Sequence, residues 1–225
     1  MKAHILVAGN IGAGKSTLVQ TLAERFGWTP LFEPAAVNPY LEDFYADMRR
    51  WSFHSQIFFL THRLRIHQEA AHHPGIVIQD RSIYEDAEIF VETLYRQGHM
   101  SSRDYQTYRA LYETLRDLVP PPDLVVYLRA SVPTLLARIA RRGRTYERKI
   151  SPAYLQELNA RYEAWIRDFH LCPVMIIPAD EVDFVAQPQW LERIHTHLLH
   201  TLKAAPSEPF IMPVAPILAN GGDRP

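Results

Sequence analysis

The segment Gly9-Asn10-Ile11-Gly12-Ala13-Gly14-Lys15-Ser16, followed by Thr17, constrains this chain more than any other. It satisfies G-x-x-x-x-G-K-[ST] and lies between a short apolar run, His4 to Ala8, and a stretch from Ser16 to Phe26 with Leu18, Leu22 and Phe26 at helical spacing. Each residue type has a physical reason. Glycines let successive backbone N–H groups turn inward on a polyphosphate, and a helix N-terminus favours negative charge. Lys15 is placed to reach the β and γ phosphates, and the Ser16 hydroxyl to ligate Mg²⁺. Strand, loop and helix in this order predict a nucleotide-phosphate site.

The rest of the chain alternates in the same way. Further strands are expected at Thr29–Phe32, closed by Glu33-Pro34, and at Ile76–Ile78, which ends in Gln79-Asp80-Arg81. Two more are expected at Leu124–Leu128 and Val174–Ile177. Between them come helices at Trp51–Ala71, Tyr84–Arg96, Ser101–Leu118, Val132–Arg142, Pro152–Phe169 and Pro188–Leu202, punctuated by Pro74-Gly75, Gly98, Pro120-Pro121-Pro122 and Gly143. Strands alternating with helices predict an α/β domain, a five-stranded parallel sheet with helices on both faces, over residues 1–203. The segment 204–225 holds five prolines and is expected to be an extended or flexible tail, with Phe210-Ile211-Met212 as the part able to dock.

Composition removes whole classes of function. A chain of 225 residues that is 47 % hydrophobic and 11 % aromatic has enough apolar surface for a core, so global disorder is excluded. With 24 Lys+Arg against 25 Asp+Glu it is neither a nucleic-acid coat nor a polybasic membrane anchor. No apolar run approaches the length of a membrane span, and the apolar start is too short for a secretory signal. The single cysteine, Cys172, forms no internal disulfide or Cys-based zinc site and fits a reducing compartment, so a cytoplasmic address is expected. Among the histidines near the last helix end, His195, His197 and His200, no pair has the i, i+4 spacing of a helical zinc pair.

Several further residues invite a chemical reading. Asp80 ends an apolar strand, where a second Mg²⁺ group would stand, although a strand-end turn residue would look the same. Arg81 beside it is a phosphate clamp or a carboxylate partner. Residues 138–149 hold Arg138, Arg141, Arg142, Arg144, Arg148 and Lys149, with Glu147 the only acid. They read as a solvated or nucleic-acid-binding face, or, over about 142–150, as a lid whose arginines close on a transferring phosphoryl group. Gln56 and Arg63 are seven residues apart and share a helix face with Phe59 and Leu60 between them; Asp86 and Phe90 stand at i, i+4. A flat base with donors and acceptors on its edge would satisfy these buried polar groups, as would the protein itself. No Asn-Lys-x-Asp is present to read guanine as regulatory GTPases do.

In order and in kind these motifs resemble the deoxynucleoside kinase family, most closely its bacterial deoxyadenosine/deoxyguanosine kinases, over roughly residues 3 to 200. The resemblance implies a P-loop kinase with ATP and Mg²⁺, acting on a deoxynucleoside, and a homodimer. It assigns Glu33 to deprotonation of the nucleoside 5′-hydroxyl. Tyr45, six residues before Trp51, would hold the 3′-hydroxyl, and Gln56, five after it, would read the base edge. Asp80-Arg81-Ser82 stands where many members have Glu-Arg-Ser, a carboxylate one methylene longer. Arg142-Gly143-Arg144-Thr145-Tyr146-Glu147 resembles the lid, with Glu147 a second 3′-hydroxyl partner, and Asp183-Phe184 resembles the loop around the donor adenine. Arg138 belongs to the same donor side. In the family the Arg63–Asp86 pair accompanies purine and cytosine bases, which implies purine deoxynucleosides here, deoxyadenosine slightly ahead. The competing enzyme, a thymidylate-type monophosphate kinase, places an arginine before Glu-Pro; Phe32 stands there, which suits a neutral hydroxyl better than a dianion. A non-catalytic nucleotide-binding module would not need Lys15, Glu33, Asp80 and the lid arginines together.

Overall fold

The computed structural model of the chain describes residues 1–32, 37–145, 147, 150–205 and 208–214. Strand β1 (Ala3–Gly9) is buried along its whole length. It lies between β3 (Ile76–Asp80) and β4 (Leu124–Arg129), and every pairing in the sheet is parallel. With β2 (Thr29–Leu31), β5 (Val174–Pro178) and β6 (Phe210–Ile211) the order is β2-β3-β1-β4-β5-β6. Apolar runs without alternation, such as Ile5-Leu6-Val7-Ala8, are what strands covered on both faces require.

The order fixes where a ligand can sit. The connection leaving β1 runs toward β2, whereas the one leaving β3 runs the other way to β4. Between β1 and β3 the winding therefore reverses, and a crevice opens at their carboxyl ends. Gly9 ends β1, Asp80 ends β3, and the register sets Val7 against Asp80. The glycine-rich loop and the strand-end carboxylate thus meet because of topology, although they are distant in sequence.

The sheet has six strands, not the expected five. Phe210 and Ile211 pair with Met175 and Ile176, and the Met212 N–H donates to Ile176 O at 2.9 Å. Met212 is buried, and without this strand β5 would be an open edge. A two-residue strand in a proline-rich segment carries no periodic signal. Residues 215–225 of the expected tail lie outside the described residues.

The helices follow the sequence reading with two additions. After α1 (Lys15–Phe26) comes a short α2 (Leu41–Ala46) that buries Leu41 and Phe44. Then α3 (Met48–His72) begins three residues before Trp51, because Asp47 caps it by accepting the Arg50 N–H. The expected helix over 84–96 starts as α4 (Ile83–Glu85), widens into a π turn over Asp86–Val91, and resumes as α5 (Glu92–Arg96). There follow α6 (Ser102–Arg116), α7 (Val132–Arg142), α8 (Pro152–Asp168) and α9 (Gln189–Thr201). α3, α6 and α8 all pack on the π turn, and α1 packs on α9, where Phe26 stacks on His195. No described helix is long and apolar enough to cross a membrane.

Candidate active site

The loop after β1 is shaped by glycine where only glycine fits. Gly12 has φ +85°, and a Cβ there would lie 2.9 Å from Leu135 O on α7. Gly14 caps α1 at φ +100°. The Lys15 ammonium is buried and donates to Gly9 O at 2.8 Å and Asn10 O at 2.9 Å, so the cation folds back over the loop. Thr17 lies one residue further on, exposed in the first turn of α1. Ile11 and Ala13 supply backbone and pack their side chains into the core.

Several residues expected on the nucleotide are occupied in holding the loop. The Asn10 amide donates to Leu155 O at 2.9 Å and Asn159 Oδ1 at 2.7 Å, and its oxygen accepts the Ile11 N–H, which fastens the loop to α8. Arg138 donates to Ala13 O at 2.8 Å and Ala179 O at 2.7 Å, joining the loop to the segment after β5. In that segment Asp183 accepts the N–H groups of Val185 and Ala186 and so shapes a turn. The turn brings the buried Phe184 ring to 3.8 Å from where a Gly14 Cβ would be.

Across the β1–β3 crevice, Ser16 Oγ donates to Asp80 Oδ2, and Asp80 is buried. Arg81 follows at φ +66°, an unfavourable region for a long side chain and a frequent mark of functional constraint. Its N–H donates to Val7 O at 3.1 Å, and its guanidinium lies 4.4 Å over Phe90. Gln79 supports this turn by donating to Arg81 O at 2.8 Å while its oxygen meets His4 Nε2 at 2.8 Å.

The polar inner face of α3 explains why that helix shows no clean apolar stripe. Ser52, Ser55, Gln56, Arg63 and His67 are all buried along it. Arg63 and Asp86 form an ion pair, each about 1 % exposed, and Arg63 also lies 4.6 Å over Phe59. Gln56 Oε1 is buried and has no hydrogen-bond partner among the described residues. Gln56, Phe59, Arg63 and Asp86, with Phe90, Tyr45 and the unforeseen Leu41 and Phe44 of α2, line the same cavity of about 360 Å³ that Gly12, Lys15, Ser16, Asp80 and Arg81 enter from the other side.

Arg142, Arg144 and Glu147 also line this cavity. Arg142 forms a two-pronged bond to Glu147, at 2.6 and 3.0 Å, and Arg144 lies 3.5 Å from the same carboxylate. Glu147 thus gathers Arg142 and Arg144, the two arginines expected in a lid. Glu33, Tyr146, Arg148 and Lys149 lie outside the described residues. Two contributors besides Leu41 and Phe44 escaped the sequence reading. Tyr154 of α8 lines the cavity, and Glu85 lies fully buried beneath the loop. Only Glu85 left a signal, as the fourth residue of Ser82-Ile83-Tyr84-Glu85.

A glycine-rich phosphate-loop motif and a set of buried polar and aromatic side chains, joined in one cavity at a switch point of a parallel sheet, place the chain among P-loop kinases. Comparison with known proteins narrows this. The family model described as deoxynucleoside kinase matches residues 5–203. A Bacillus subtilis protein named deoxyadenosine/deoxycytidine kinase is 42 % identical over 192 residues, spanning 84 % of this chain and 88 % of the relative. A deoxyguanosine kinase of the same organism is 34 % identical over 198 residues, 86 % of this chain and 95 % of the relative. A solved deoxyadenosine kinase from M. mycoides, with products dCMP and a flexible dCDP bound, superposes with a TM-score of 0.78 at 32 % identity, covering 89 % of this chain and all of that one. Another structure of that enzyme holds dATP and gives 0.77 at 32 % identity, covering 87 % and 99 %. The chain belongs to the deoxynucleoside kinase family, phosphotransferases with a hydroxyl acceptor.

Proposed function

We propose that the chain transfers the γ-phosphoryl group of ATP to the 5′-hydroxyl of purine deoxynucleosides, deoxyadenosine slightly ahead of deoxyguanosine, as a salvage reaction in the cytoplasm. The observation that carries this is Gln56 Oε1, a buried acceptor with no partner among the described residues, set in the phosphate-loop cavity with the Arg63–Asp86 pair. An amide edge there pairs with a base edge. Asp86 accepts from an exocyclic amine, and Arg63 donates to N7 or O6 of a purine. Tyr45 and Glu147 take the sugar 3′-hydroxyl.

In the reaction Glu33 accepts the 5′-hydroxyl proton as the oxygen forms its bond to the γ-phosphorus and the bond from that phosphorus to the β–γ bridging oxygen breaks. Lys15, Arg81, Arg142 and Arg144 stabilise charge on the transferring group, which requires the lid arginines to turn from Glu147. The oxygen donors Ser16 and Asp80, already in contact, fit Mg²⁺, which would neutralise charge on the phosphate oxygens. From the family resemblance we also infer a homodimer, with a molar mass in solution twice that of the chain.

A second acceptor class has its own support. Asp86 can accept equally from the cytosine amine, and the 42 % identical relative is named for deoxycytidine as well as deoxyadenosine. The test is kcat/KM for the four deoxynucleosides, in wild type and in the double variant Arg63→Met/Asp86→Ala. Deoxyadenosine should rank first and thymidine last, and the double variant should lose at least ~10-fold of the purine preference. Thymidine ranking first, or an unchanged preference in the double variant, would overturn the base assignment.

A further inference from the structure

Glu85 is a fully buried acid that the proposed chemistry does not employ. Ser82-Ile83-Tyr84-Glu85 has the spacing of a capping box, and Ser82 performs its half, accepting the Glu85 N–H at the start of α4. In such a box the glutamate reaches back to the N–H of the capping residue. Glu85 instead turns inward. Its Oε1 accepts the Gly9 N–H at 3.3 Å and the Tyr162 hydroxyl at 2.8 Å, and its Oε2 accepts from Ser82 Oγ at 3.3 Å. Gly9 opens the phosphate loop, and Tyr162 stands on α8, the helix to which Asn10 also fastens that loop.

A carboxyl in such a place is costly. Burial pushes its pKa up, and the neighbouring cations Arg81 and Lys15 and the Tyr162 hydroxyl oppose that. An apolar side chain could fill the same volume, but it would leave the Gly9 N–H without its acceptor. We propose that Glu85 is a positioning residue for the donor phosphates. By accepting the Gly9 N–H from beneath, it fixes the entry of the phosphate loop, and Tyr162 holds the carboxyl in place. This rests on the assignment of the donor to that loop.

The test compares Glu85→Ala, Glu85→Gln and Tyr162→Phe with wild type in the full-length chain, measuring KM for ATP, KM for deoxyadenosine, kcat and Tm. Glu85→Ala should raise KM for ATP at least ~10-fold, a hydrogen-bond-sized loss, with KM for deoxyadenosine within about twofold. Glu85→Gln keeps an oxygen for Gly9 and should recover most of that loss, and Tyr162→Phe should raise KM for ATP a few-fold. A lowered Tm with both KM values unchanged, or equal rises in both, would overturn the proposal. If Glu85→Ala does not fold, the other two variants decide, and an unchanged KM for ATP in Tyr162→Phe overturns it. A wild type that turns over no deoxynucleoside would instead overturn the function proposed above, and ATP titration of the same variants would still test Glu85.

Discussion

His4 shows how far one side chain's surroundings can set its chemistry. It lies on the central strand with its ring edge-on to His67 at 4.6 Å and bonded to Gln79. Burial, then the neighbouring His67, lowers its pKa from 6.5 to about 4, while the Gln79 bond works against them. Between these values the unfolded chain binds the proton and the folded chain does not. Stability therefore falls as pH drops from 6.5 toward 4, by about 3 kcal/mol at most for this group, and is unaffected by it above that window. Urea denaturation of His4→Gln should show a shallower loss between pH 7 and 4.5 than wild type; an identical slope would remove His4 as a source. The same scale shows what the residue string leaves out. Lys15 and Ser16 stood out because the fixed spacing of the glycine-rich motif ties each to one chemistry, whereas Asp80 stood out only as the end of an apolar strand, where a turn residue would look the same. Asn10, Arg138 and Glu147 also stood in expected places, but whether such a side chain bonds a ligand or its own protein depends on neighbours far away in sequence, Leu155, Ala179 and Arg142 among them.

At the scale of elements, most strands and helices followed from apolar runs bounded by glycine and proline. The exceptions have physical causes. α2 has six residues, fewer than two turns, too short for a period to register. The π turn at Asp86–Val91 inserts its irregularity into an otherwise helical pattern, where the hydrogen-bond partner changes and the sequence signature does not. β6 draws its stability from the open edge of β5 and from the burial of Met212, both tertiary. Arg193 adds a bond from α9 to Pro213 O at 2.9 Å. Removing residues 206–225 should therefore lower Tm by roughly 5–10 °C, as expected when a buried methionine and a strand edge are lost, and leave both KM values unchanged. An unchanged Tm would mean that residues 206–225 add nothing to the stability of the domain.

The molecule as a whole is organised around the reversal of winding between β1 and β3. That single feature sets the phosphate loop beside Asp80 and Arg81. α3 and the π turn then close the cavity with Gln56, Arg63, Asp86 and Phe90. Phe32 also lines the cavity, and an apolar residue at that position supports the proposed neutral hydroxyl acceptor. The resemblance placed these parts in order, but only the folded chain shows that they share one cavity. The most direct measurement supplies ATP and Mg²⁺ with deoxyadenosine in one reaction and deoxyadenosine monophosphate in another, and follows the products by chromatography. Conversion of deoxyadenosine to its 5′-monophosphate, with the monophosphate left unreacted, is the expected result. Phosphorylation of the monophosphate in preference to the nucleoside would contradict the hydroxyl-acceptor site described here.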